Sequence, residues 1–236
     1  MKIGIITQAR TGSQRLPKKV LKKINHLTFL EIHLKRIIKS KLAKSFIVAT
    51  TKYERDNVIS EIAKNLKFDV FRGSENDVLD RYYKAAKKNN LDVIVRVTSD
   101  CPLIDPNLID KIIYKHILNK KDFTSNITKR TFPDGLDVEV FNFETLKRAW
   151  VNSKKLDERE HVTYYIWKNR KLFSSFCYEN SVDYSKYRLT LDYPEDLELF
   201  KKLINKIGYD KPWMDYVNLL ENDKQLCKIN SSRINN

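Results

Sequence analysis

The stretch Asp92-Val93-Ile94-Val95-Arg96-Val97-Thr98-Ser99-Asp100-Cys101-Pro102 decides the architecture. From Val93 to Val97 every residue but Arg96 is apolar, without polar alternation, as in a strand covered on both faces of a parallel sheet. The run gives way at Thr98-Ser99-Asp100, so a carboxylate arrives where the chain leaves the sheet. Working towards the N-terminus, strand-like runs at 2–7, 45–50 and 68–71 are separated by helical patterns at 28–40, 57–65 and 77–89. Thr28 followed by Glu31 has the spacing of a capping box. Alternating strand and helix predicts an α/β protein with an open, mostly parallel sheet and helices on both faces, whose ligands collect at the carboxyl ends of the strands.

The first strand runs into Gln8-Ala9-Arg10-Thr11-Gly12-Ser13-Gln14-Arg15-Leu16-Pro17-Lys18-Lys19. Gly12 lets backbone approach a ligand, Ser13 offers a hydroxyl, and Arg10, Arg15 and Lys19 surround the same turn with charge suited to phosphates. Lys18 reads as an exposed loop charge. No G-x-x-x-x-G-K-[ST] or G-x-G-x-x-G motif is present, so neither a P-loop ATPase nor a dinucleotide-dependent oxidoreductase is indicated.

The 236 residues, 42% hydrophobic, suffice for one compact unit over 1–236. No repeat or Gly/Pro/Ser-rich linker divides them. No membrane-length apolar run or signal peptide is evident, and Cys101, Cys177 and Cys227 lack disulfide or zinc spacing; the expectation is a cytoplasmic protein without membrane insertion. The formal charge of +15 is uneven: residues 1–50 hold twelve Lys and Arg against one acid, Glu31. No nucleic-acid-binding module or interleaved aromatics accompany this bias, and Lys35, Lys39, Lys41 and Lys44 fit the solvated face of a helix, so no nucleic-acid partner is expected.

Beyond residue 120 the pattern shortens. Extended pieces surround Phe132-Pro133-Asp134-Gly135, helices return at 143–151 and 158–168, and strands are expected at 172–178 and 187–191. Residues of about 121–185 are expected to form a small lobe beside the strand–helix half. Asp192-Tyr193-Pro194-Glu195-Asp196 then starts another helix, and the tail after Asn222 reads as polar and loosely held.

The loop pattern A-R-x-G-S-x-R-L-P-x-K resembles the N-terminal signature of the cytidylyltransferases, which include the synthetases of CMP-3-deoxy-manno-octulosonate and CMP-sialic acid. The blocks at 72–82, 95–104, Pro133-Asp134-Gly135-Leu136-Asp137-Val138-Glu139-Val140, Arg159-Glu160-His161-Val162-Thr163 and 191–197 are most similar to the branch named for the spore coat polysaccharide protein SpsF. They follow family order over about 3–200. The resemblance implies a Rossmann-like nucleotidyltransferase fold and a Mg²⁺-dependent transfer of CMP from CTP to a sugar acid or related acceptor for surface polysaccharide, with release of pyrophosphate. It also implies a homodimer formed through the lobe.

Transfer to an α-phosphate needs in-line attack, charge neutralisation and help for the leaving pyrophosphate. Arg10, Lys19 and Asp100 are the candidate catalytic residues. Arg10, Gly12, Ser13, Arg15, Lys19 and Asp100 are read as nucleotide-binding, and the family pattern adds Ala9, Arg72 and Ser74 near base and ribose. Asp100 and Asp192, each just past an apolar run, are candidate ligands for Mg²⁺, which takes one or two carboxylates besides water and phosphate. Asp192 has the alternative of merely capping the helix that follows. Asp77, Asp80 and Arg81 stand open between surface ion pairs and nucleotide contact. For the acceptor the candidates are Asp134, Asp137 and Glu139, the last two on one strand face, with Arg159, Glu160 and His161. The acids suit an amine or several hydroxyls. His26, His33 and His116 read as structural, and Cys101 as packing. Two rivals stand beside this reading: a nucleotide-sugar glycosyltransferase, although Ser99-Asp100-Cys101 lacks the D-x-D many of those use, and a non-catalytic basic protein binding a polyanion.

Overall fold

The computed structural model describes residues 1–234. Seven strands form the main sheet: β1 (Ile3–Gln8), β4 (Ser45–Thr51), β5 (Asp69–Gly73), β6 (Val93–Thr98), β7 (Phe123–Ser125), β8 (Glu139–Asn142) and β9 (Ser175–Cys177), with β2 (Lys23–Ile24) and β3 (Leu27–Thr28) as a separate small hairpin. The order is β5-β4-β1-β6-β8-β7-β9. Within it β8 alone runs against its neighbours, pairing antiparallel to β6 and β7. Residues 121–185 contribute β7, β8 and β9 to this same sheet.

Alternating side chains build two cores. Ile3, Ile5, Val93, Val95 and Val97 face α1 (Phe29–Ile37), α2 (Asn57–Asn65) and α4 (Pro106–Asn119). Ile6, Ile47, Ala49 and Ile94 face α3 (Val78–Lys88), α5 (Phe143–Asn152) and α7 (Tyr164–Lys168), which follows the short α6 (Leu156–Glu160). A third cluster packs α8 (Pro194–Ile207), α9 (Trp213–Asn222) and α10 (Lys224–Lys228) over Phe29 and Ile32 of α1. Each buried aliphatic side chain contributes roughly 1.5–3 kcal/mol.

Most expected elements form within a residue or two of their sequence bounds, and the Thr28–Glu31 capping box closes as read. The strand expected at 172–178 shortens to Ser175–Cys177, α9 and the β2–β3 hairpin lie outside the expected elements, and four further regions differ. The helix α4 has its start signal in Asp105, whose carboxylate accepts from the Asn107 and Leu108 N–H groups, and in Pro106 at the first helical position. The single helix expected at 158–168 is two short ones, because the chain turns at His161. Residues 187–191 make only an isolated bridge between Arg188 and Asp134. The tail folds back: Leu226 is buried, and Asn230 donates to the Asp196 carboxylate at 2.8 Å.

Candidate active site

The basic loop is held open by the end of β4. Asp56, fully buried, accepts from the Thr11 N–H at 2.8 Å, from the Thr11 hydroxyl at 2.6 Å and from the Thr51 hydroxyl. Across the mouth, Glu75 pairs with Arg55 at 2.7 Å and lies 3.8 Å from Arg10. A Cβ on Gly12 would stand 2.8 Å from the Glu75 carboxylate, so the glycine lets that side chain pass close to the loop. The loop thereby walls a cavity of about 850 Å³, which Ala9, Arg10, Gly12, Ser13, Arg15 and Lys19 all border together with Asp100.

Lys19 marks the centre. Its ammonium donates to Asp100 at 2.7 Å and to Asp192 at 2.6 Å, bringing the ends of β6 and of the segment before α8 onto one point. Burial pushes the Asp100 carboxyl up, but the adjacent ammonium outweighs it and holds the carboxyl down at about 2. Burial likewise opposes the charge on Lys19, and the two carboxylates more than offset it, raising its pKa. Arg15 adds a contact to Asp192 at 3.0 Å. Asp192 does not cap α8: its own N–H and that of Tyr193 both donate to Asp196, which leaves the Asp192 carboxylate to face the cations.

Behind Asp100 the loop is fixed by His33. The ring takes a hydroxyl contact from Thr7 at 2.9 Å and lies 3.0 Å from the Cys101 carbonyl, and burial lowers its pKa to about 4. A neutral ring donating from Nδ1 to that carbonyl and accepting from Thr7 satisfies both contacts. Cys101 is buried, and burial pushes its thiol pKa up, which suits packing and not nucleophilic attack. His116 is a second buried structural ring, between Thr124 and Asn142.

A second cavity, of about 400 Å³, adjoins the first; Thr98 and Asp100 border both. Asp134, Asp137 and Asp192 line it with Arg130 and Arg188. Arg188 is held by Asp134 at 2.7 Å, Asp192 at 3.1 Å and Asp196 at 3.1 Å. Arg130 spans the Asp137 carboxylate with two contacts of 3.2 Å. Burial raises the Asp137 carboxyl to about 6, against the opposing pull of Arg130 and with a further push from Asp134. Asp134 is raised by burial in the same sense.

The remaining sequence candidates are dispersed. Arg72 donates to the Thr51 and Tyr53 carbonyls and to Asn57, bracing the end of β4 and not bordering either cavity. The Ser74 hydroxyl accepts from the Asp77 N–H at 3.1 Å in the turn that begins α3. Glu139 is 1% exposed and does not share an open face with Asp137; it is enclosed between Arg96 and the Thr163 hydroxyl. Arg159 is committed to Asp77, with contacts of 3.0 and 2.5 Å, and to the Trp150 carbonyl. That clamp carries Glu160 and His161 to the rim of the larger cavity, apart from Asp134 and Asp137. Asp80 receives the Trp150 indole N–H at 3.0 Å.

Arg96, Arg130 and Arg188 border the cavities although they were not among the sequence candidates. The signal for Arg96 was present, as the one charge in an otherwise apolar central strand. Among the described residues no group of three or more His, Cys, Asp or Glu converges as a metal cluster. Asp100 and Asp192 nonetheless place two carboxylate oxygens on one cation, the Lys19 ammonium, and such a pair fits Mg²⁺, which needs few protein ligands.

A crevice rich in cations at the carboxyl ends of parallel strands, with an acid-lined cavity sharing its central aspartate, suits an α/β nucleotidyltransferase. The chain belongs to the cytidylyltransferase family, whose sequence model matches residues 3–226. It is 35% identical to the spore coat polysaccharide biosynthesis protein SpsF of Bacillus subtilis, over 87% of this chain and 88% of that protein. It is 44% identical to an uncharacterized protein of Methanocaldococcus jannaschii, over 98% of this chain and 96% of the other. The structure of a cytidylyltransferase from Leptospira borgpetersenii superposes with a TM-score of 0.93 at 38% identity, covering 97% of each chain. No helix among the described residues is long and apolar enough to cross a membrane.

Proposed function

We propose that this enzyme transfers CMP from CTP to a hydroxyl of a sugar acid or related acceptor for surface polysaccharide. The observation that carries the reading is the junction of the two cavities at Asp100, beside Lys19. CTP occupies the larger cavity, with Arg10, Ser13, Arg15 and Lys19 on its phosphates. The acceptor occupies the smaller one. Its hydroxyl oxygen bonds to the α-phosphorus while the bond from that phosphorus to the oxygen bridging to the β-phosphate breaks, and pyrophosphate leaves. Asp137, with its carboxyl raised to about 6, is tuned to take the hydroxyl proton near neutral pH. Mg²⁺ held by Asp100 and Asp192 would polarise the α-phosphate and acidify the attacking hydroxyl.

A homodimer through α5–α7 belongs to the same reading, since Leu156 is 86% exposed there and Val151, Trp167 and Leu172 are exposed beside it. The test is pyrophosphate release with each of the four ribonucleoside triphosphates, Mg²⁺ and a panel of sugar acids, amino sugars and polyols. Release that requires both CTP and an acceptor is expected. Release independent of the base, or none with CTP across the panel, contradicts the proposal.

A further inference from the structure

Arg81 lies in the first turns of α3, on the face that carries Val78, Tyr82 and Ala85 into the core. It is 1% exposed, and its Nε and Nη1 have no hydrogen-bond partner, yet the side chain borders the larger cavity. Two guanidinium nitrogens taken out of water without partners cost stability, so folding energy does not account for an arginine at this position.

The other deeply buried arginines are satisfied. Arg36 donates to the carbonyls of Ile104, Tyr209 and Lys211, and Arg188 has its three carboxylates. The acids whose charge reaches Arg81, Asp56 and Glu75, are already engaged by Thr11 and Thr51 and by Arg55 and Arg10. Burial pushes the Arg81 pKa down, as it does for Arg36 among its carbonyls, whereas the carboxylates around Arg130 and Arg188 outweigh burial and raise theirs. The seat is also shaped for this side chain. A Cβ on Gly73 would stand 2.6 Å from the Arg81 Cγ, so the glycine makes room for the stem. Nearby, Arg96 Nε is a further buried donor without a partner at the same cavity.

We propose that Arg81 is a nucleotide-binding residue, whose guanidinium donates to acceptor atoms of CTP and is left unpaired in the free enzyme. The inference rests on the CTP reading above. The chemistry it needs, concentrated acceptor atoms, is offered by phosphate oxygens and by the O2/N3 edge of cytosine alike.

The test combines calorimetric titration and thermal melting of wild type, Arg81→Met and Arg81→Lys. The nucleotide-free Arg81→Met protein is expected to melt at or above the wild-type temperature, having lost an uncompensated buried charge. Its Kd for CTP is expected to rise about 10- to 100-fold, the range for a lost hydrogen bond to a charged group. Arg81→Lys, which keeps the charge without the planar fork, is expected to bind at least several-fold more weakly than wild type. Titration with inorganic triphosphate and with cytidine then locates the contact, as the variant loses affinity for one or the other. CTP affinity equal to wild type in both variants overturns the assignment, as does an Arg81→Met protein that melts well below wild type or fails to fold while Arg81→Lys binds normally. Absence of CTP binding by the wild type would instead remove the CTP reading itself.

Discussion

The two cavities that meet at Asp100 carry opposite balances of charge. The larger is bordered by six cations, Arg10, Arg15, Lys19, Arg55, Arg81 and Arg96, against three carboxylates, Glu75, Asp100 and Glu160. The smaller has two arginines against four aspartates, Asp100, Asp134, Asp137 and Asp192. In the first most cations also have a carboxylate partner, Arg10 and Arg55 sharing Glu75, Arg15 and Lys19 sharing Asp192 and Arg96 meeting Glu139, but the lining keeps a positive balance that suits a polyanion; in the second the carboxylates outnumber the two arginines they span. A triphosphate therefore fits the first and is repelled by the second. On the proposed function, a hydroxyl-bearing acceptor in the second cavity would meet the α-phosphate at the shared aspartate.

The comparison breaks most completely at that aspartate. Asp100→Ala is expected to lower kcat for pyrophosphate release by about 10³-fold or more, since it removes both the bridge between cavities and one of the two carboxylates gathered on Lys19. Lys19→Met is expected to cost about 10²–10³-fold in kcat/KM for CTP, and steady-state kinetics separates the two by their KM values. On the acidic side, Arg188→Met leaves the fully buried Asp196 without its cation. That should destabilise the fold by about 3–5 kcal/mol, and at about 2–4 °C per kcal/mol for a chain of this size calorimetry should see melting fall by roughly 10 °C.

A subtler test exploits Asp137. Its folded carboxyl titrates at about 6 instead of the ordinary 3.8, so between those values the folded state holds more protons than the unfolded chain. The raised pKa therefore makes ionisation unfavourable for folding, and its contribution to stability declines as pH rises through that window. The melting temperature of Asp137→Asn relative to wild type is expected to climb from pH 4 to pH 7. At limiting acceptor, turnover should rise through about pH 6 in wild type and lose that inflection in the variant. The smallest effect belongs to Lys18, exposed beside the loop; Lys18→Ala should leave CTP turnover within about twofold.

How much of this was legible depended on distance along the chain. The parallel sheet, the basic loop and the placement of Asp100 past a buried strand follow from local pattern and strand-end geometry. Lys19 reaching Asp100 and Asp192 requires residues 81 and 173 positions away, which no local spacing encodes. Arg72 and Arg159 share the chemistry of Arg10 but are spent on carbonyls and on Asp77, and a sequence does not say which arginine has its donors occupied. Glu139 alternates correctly with Asp137 yet points into Arg96, because β8 begins only at Glu139. The signal for α4 was local and readable, in Asp105 followed by Pro106.

The contrast between the cavities is tested most directly by titrating CTP, UTP, ATP and GTP into the wild-type enzyme with Mg²⁺ and no acceptor. CTP is expected to bind one molecule per chain, at least about tenfold more tightly than the other three, corresponding to about 1.4 kcal/mol. Equal affinity for all four, or no binding of CTP, would contradict the assignment of the larger cavity as its site.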